Sequence, residues 1–177
     1  RTLYRYAYRG DWFAPDGDPV SPTLRRLEHV AGERVRLNAT AGLPPGTVAV
    51  AATLENDAGE RVQVPLDRPA GDLDLSLAVD HTSAHLDGPG VDGGASLPVD
   101  DTDALDLTVF VDTGGLDSFE YDLELPVRTE GDTVRALTPR MQVCRDVRQC
   151  GDGAAYVPGD HPPGVDLSVN LTAVSED

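Results

Sequence analysis

Three groups of residues in this chain have the types and spacing that chemistry requires. Asp100-Asp101-Thr-Asp103-Ala-Leu-Asp106 packs four carboxylates into seven positions. Calcium takes six to eight hard oxygen ligands, and clustered carboxylates with backbone carbonyls can supply them. The EF-hand pattern is not met, because its Gly and terminal Glu are missing. In a chain with 31 acids such clusters also arise as plain solvated surface, which is the favoured reading. His81 and His85, flanked by Asp80 and Asp87, have an i, i+4 spacing that grips zinc when it falls on a helix. Gly88, Pro89 and Gly90 follow at once and argue for a loop, so two solvated histidines are expected. Cys144 and Cys150, in VCRDVRQCG, are the only cysteines. Two thiols in an otherwise Cys-free chain read as one local disulfide, and a disulfide implies an oxidising compartment.

The same Cys pair has a redox alternative. The C-x5-C spacing is similar to that in the amino-terminal domain of a family of membrane-bound periplasmic thiol-disulfide reductases, which is an immunoglobulin-like sandwich. The resemblance covers seven residues. Arg145 and Arg148 would lower a thiol pKa while Asp146 opposes them. A structural disulfide remains the preferred reading.

Two N-glycosylation acceptor patterns, Asn38-Ala-Thr40 and Asn170-Leu-Thr172, point to the same extracytoplasmic side. Five of the nine aromatic residues (Tyr4, Tyr6, Tyr8, Trp12 and Phe13) crowd near the amino terminus. Such rings can stack on sugars, but they serve equally as core or interface anchors, the expected use here. There is no G-x-S-x-G elbow, H-E-x-x-H helix, P-loop or dinucleotide fingerprint. A redox domain or a hydrolase using paired carboxylates is therefore the minority reading.

The elements that must position these residues are strands. Apolar and polar residues alternate strictly in Leu3–Arg9, Arg34–Ala39, Val48–Leu54, Val62–Leu66, Asp72–Val79, Leu105–Val111, Phe119–Val127 and Val165–Val174. Alternation with period two marks half-buried strands. Asn56-Asp-Ala-Gly59 predicts a turn that makes a hairpin of residues 47–66. Residues 80–101 and 151–164 read as long loops, and Leu24, Leu27 and Val30 after Ser21-Pro22 suggest one or two helical turns at most. The expected architecture is one antiparallel β-sandwich domain over residues 1–177, immunoglobulin-like or jelly-roll, with about eight strands.

Charge bounds the function. The 31 acids oppose 14 basic residues, all of them Arg, for a formal net charge of −17. Phosphate binding needs clustered basic residues, so the composition argues against nucleic-acid binding and against an anionic membrane surface. Self-repulsion at this charge strains a compact fold in dilute buffer. At molar salt the Debye length falls to roughly 3 Å and screens it. The acid-rich, lysine-free composition resembles that of proteins from halophilic archaea. A GC-rich genome, which favours Arg over Lys, is the alternative. No apolar run approaches the ~18 residues of a membrane span, and the chain reads as a mature or trimmed ectodomain, with any signal peptide or anchor outside it. The leading expectation is a non-enzymatic module of the cell surface or envelope, or of an assembly such as a filament or virion. It would need no cofactor and would engage protein partners or copies of itself. A carbohydrate- or calcium-binding module is the alternative.

Overall fold

The structure is a computed structural model that describes residues 2–9, 21–67, 71–91, 94–115, 118–145 and 164–174. Among these residues every regular element is a strand, and all pairings are antiparallel. The expectation of about eight strands is corrected to fourteen in three sheets.

A two-stranded ribbon pairs β1 (Leu3–Arg9) with β2 (Ser21–Leu27). After Glu28 the chain continues as β3 (His29–Gly32) and joins a different, seven-stranded sheet. The predicted helical turns at 24–30 are thus replaced by strand on both sides of Glu28. A spacing of three puts Leu24 and Leu27 on opposite sides of a strand, and pairing with β1 overrides the local hint. Thr138 holds the crossover: its N–H donates to the Glu28 carbonyl at 2.9 Å, and its Oγ1 accepts from the Glu28 N–H at 2.7 Å.

The five-stranded sheet contains β4 (Arg34–Gly42), β7 (Asp72–Val79), β8 (Ser83–Asp87), β9 (Ala95–Pro98) and β14 (Leu167–Val174), in the order β14-β4-β7-β8-β9. The expected loop at 80–101 therefore contains two strands. Each turns only two residues inward, Ala84 with Leu86 and Ala95 with Leu97, and alanine gives a weak hydrophobic signal over so short a run.

The seven-stranded sheet adds β5 (Ala49–Glu55), β6 (Arg61–Leu66), β10 (Thr102–Asp112), β11 (Ser118–Glu130), β12 (Thr133–Leu137) and β13 (Arg140–Arg145) to β3. The predicted hairpin is β5–β6. Asn56 caps its turn by accepting the Glu60 N–H on Oδ1 at 2.9 Å, and Gly59 supplies the positive φ of 79°. The thirteen residues of β11 run along β10 on one edge, while β13 and β12 share the other edge end to end.

Both large sheets turn alternate residues into one hydrophobic cluster. Leu37, Leu75 and Leu77 come from the five-stranded sheet, and Leu54, Leu107, Leu123 and Leu125 from the seven-stranded one. Tyr121 is buried in this cluster, and its hydroxyl donates to the Gly42 carbonyl on the opposite sheet. Burial, with the nearby Asp166 carboxylate, pushes the Tyr121 hydroxyl pKa up. The phenol therefore stays a donor, which ties β11 to β4. Gly42 itself leaves no room for a side chain: a Cβ there would lie 2.7 Å from the Gly164 carbonyl oxygen.

Candidate functional site

Because β5, β10, β11 and β13 are adjacent and in register, their outward residues form rows. One row runs Glu55, Asp106, Glu124, Arg140, and the next runs Thr53, Thr108, Asp122, Gln142. Together these eight residues line a cleft of about 290 Å³ on the outer face of the seven-stranded sheet. Arg140 is the only basic residue in the lining, and its Nη2 reaches Glu124 Oε2 at 2.9 Å. Thr108 Oγ1 donates to Asp122 Oδ1 at 3.0 Å.

The carboxylates here repel one another. Partial burial, then Glu124, push the Asp106 pKa up to about 6; Arg140 opposes, and Asp122 and Asp57 add to the rise. Burial also raises Asp122, against the Thr108 hydrogen bond and Arg140, and burial with Asp122 raises Glu120. Chemically the cleft is a bank of hydrogen-bond acceptors with one cation, and it holds a carboxyl that takes up a proton near pH 6.

The sequence singled out Asp106, but the structure separates it from its presumed companions. Asp103 has the opposite parity on β10 and is buried, with 4% exposure. Its Oδ1 accepts the Asp57 N–H at 2.9 Å and its Oδ2 the Asp100 N–H at 3.4 Å, while Asp57 Oδ2 accepts the Ala104 N–H at 3.0 Å. Asp103 is a fastener between the β5–β6 turn and the start of β10. Asp100 and Asp101 are exposed in the β9–β10 turn, where the Asp101 carbonyl accepts the Thr129 N–H at 2.9 Å.

His81 and His85 do not converge either. His81 Nε2 lies 4.0 Å from Asp132 Oδ1, and His85 Nε2 lies 3.5 Å from Asp87 Oδ1; both rings are nearly half exposed. Asp80 instead braces the β7–β8 turn, accepting the N–H groups of Thr82 and Ser83 at 2.8 and 2.9 Å. Burial pushes its pKa up, but the hydrogen bonds from Thr82 and Ser83 outweigh that and hold it below the ordinary value. Among the described residues no group of three or more His, Cys, Asp or Glu side chains is set to hold a metal.

Cys144 is fully buried in β13, opposite Glu120, while Cys150 lies outside the described residues. Trp12 and Phe13 also lie outside them, as do the side chains of Tyr6 and Tyr8; Tyr4 is 58% exposed. Asn38 and Asn170 are both exposed and are direct cross-strand partners on β4 and β14. Sequence reasoning placed Asp122 and Glu124 outward but missed that they meet Glu55, Asp106 and Arg140. The outward parity was readable, whereas the register between strands was not.

Fold and cleft define an antiparallel all-β protein with an acidic, half-desolvated patch on one sheet. The chain belongs to the family described as Domain of unknown function (DUF7846), which matches residues 1–125. Comparison with curated proteins and with solved structures finds no match. The family match ends inside β11, yet β12 and β13 complete the seven-stranded sheet and β14 flanks β4, so later residues hydrogen-bond into the matched region.

Proposed function

We propose that this chain is a non-enzymatic β-sandwich module that works outside the cytoplasm of a halophile-like organism, as a surface, envelope or assembly domain. In this reading residues 1–177 form one domain, with the ribbon as its contact element. The observation that carries it is the ribbon's surface. Among the described residues four large hydrophobics are exposed, and three of them, Leu3 at 41%, Tyr4 at 58% and Leu24 at 70%, lie on β1 and β2. By register Tyr4 and Leu24 share one face of the ribbon and Leu3 lies on the other, so apolar side chains are exposed on both faces. An isolated two-stranded ribbon is marginal in water unless something packs on it, and exposed apolar surface marks interaction sites. Extracytoplasmic work is supported by the Cys144–Cys150 spacing and the two glycosylation patterns. Work in brine is supported by the net charge of −17.

Sedimentation of the full chain in molar potassium chloride tests the assembly reading. Association is expected for the wild type and its loss for the triple variant Leu3→Ser, Tyr4→Ser, Leu24→Ser. A wild type that stays monomeric across the concentration range overturns self-assembly.

The acidic cleft favours a second reading, a calcium- or carbohydrate-binding module. Its test is a thermal melt with millimolar calcium at fixed ionic strength. A ligand at 100 times its dissociation constant adds about 2.7 kcal/mol, so a rise in melting temperature that Asp106→Asn abolishes would put this reading first.

A further inference from the structure

The two glycosylation patterns lie 132 positions apart in sequence, yet Asn38 and Asn170 face each other across β4 and β14. Directly opposite residues on one face of an antiparallel pair have Cβ atoms roughly 4.5–5.5 Å apart. That is about the width of one sugar ring, so a glycan on either residue covers the other. The structure also makes the two positions unequal. β4 is hydrogen-bonded on both sides, to β14 and to β7, whereas β14 is the edge of its sheet. An edge strand opens at lower cost than an interior one, because only one ladder must break.

The hydroxyls that complete the patterns differ in the same sense. Thr40 Oγ1 is committed to Asp74 Oδ1 at 2.7 Å. Thr172 Oγ1 reaches the Arg36 carbonyl only at 3.5 Å, too long for more than a weak hydrogen bond. The acceptor pattern requires that Ser or Thr, so the hydroxyl of the Asn170 pattern is the one within reach of a transferase.

We propose that the chain carries a single Asn-linked saccharide, attached at Asn170, and that Asn38 is a contact for that saccharide and not a second attachment point. In the transfer the Asn170 Nδ2 bonds to the anomeric carbon of a lipid-linked sugar phosphate. The anomeric C–O bond breaks, the lipid phosphate leaves, and the Nδ2 gives up one proton. Across the sheet from Asn170 the outward row continues through Asn38, Ser76 and Asp87. The last three border a groove of about 360 Å³ on the same face. A saccharide on Asn170 lies along this polar row, where the Asn38 carboxamide offers both a donor and an acceptor.

The inference rests on the extracytoplasmic reading, so the test measures both. The protein is isolated from the cells that make it, and intact mass and peptide mapping are read alongside the state of Cys144 and Cys150. One saccharide is expected on Asn170 with the disulfide formed; Asn38→Gln keeps the added mass and Asn170→Gln loses it. Added mass on Asn38, or on both residues, overturns the inference. Absence of added mass with the disulfide formed overturns it and leaves the extracytoplasmic reading standing. Absence of added mass with two free thiols overturns both.

Discussion

Asp103 and Asp106 stand three residues apart on β10 and belong to different worlds. Asp103 points into the corner where β10 meets the β5–β6 turn, and backbone N–H groups answer its carboxylate. Asp106 points the other way, into the outer cleft, where its register partners are Glu55 and Glu124. The same side chain therefore fastens the fold at one position and strains it at the other. Acidity by itself says nothing about purpose; what matters is whether donors or other acids face the carboxylate.

This contrast can be broken by substitution, and the largest effect is expected at the buried member. Asp103→Ala leaves the Asp57 N–H without its partner in a half-buried corner, which should cost about 2 kcal/mol in urea unfolding. A loss below a few tenths would show that the corner is not fastened there.

The cleft should respond in the opposite direction. The Asp106 pKa is raised in the folded state, to about 6 from its ordinary 3.8. Its contribution to stability is therefore fully present below about pH 4 and is lost as pH rises through about 6. Asp106→Asn should stabilise the protein at pH 7 by about 1 kcal/mol, a figure already reduced because the side chain is well exposed and solvent screens it. The gain should vanish near pH 4 and shrink in molar salt, and an equal gain at both pH values would sink the electrostatic account. Asp122 and Glu120 shift in the same direction and should leave a residual pH dependence in that variant.

The smallest effect sharpens the picture. Arg140→Gln removes the cation that pairs with Glu124, and such an exposed pair is worth up to about 1 kcal/mol. The more telling readout is the Asp106 titration followed by NMR, which should move further upward once Arg140 no longer opposes it.

Much of the fold was legible before any coordinates. Eight strands with clear alternation are read close to their observed limits, and the β5–β6 hairpin follows from its turn residues. The omissions share a cause. β8 and β9 turn alanines inward, and β12 and β13 are short, so their alternation is too brief to stand out. At β2 a three-residue spacing suggested a helix that pairing with β1 overrode. The candidate site was legible only in part. Asp106 could be named from its local cluster, but its actual neighbours come from strands up to about 50 residues away in sequence.

By itself the sequence determined that the chain is all-β, which residues face the core along most strands, and how heavily charged the outer faces are. These are properties of a single strand, set by period-two alternation and composition. Only the tertiary structure decided that Asp103 and Asp106 part company, that four strands gather an acidic cleft, and that Asn38 meets Asn170. Each of these depends on register and on strand order, and a ladder of backbone hydrogen bonds forms equally well between many pairs of strands. The choice among them falls to the packing of both sheets onto one core, which no local stretch of sequence contains.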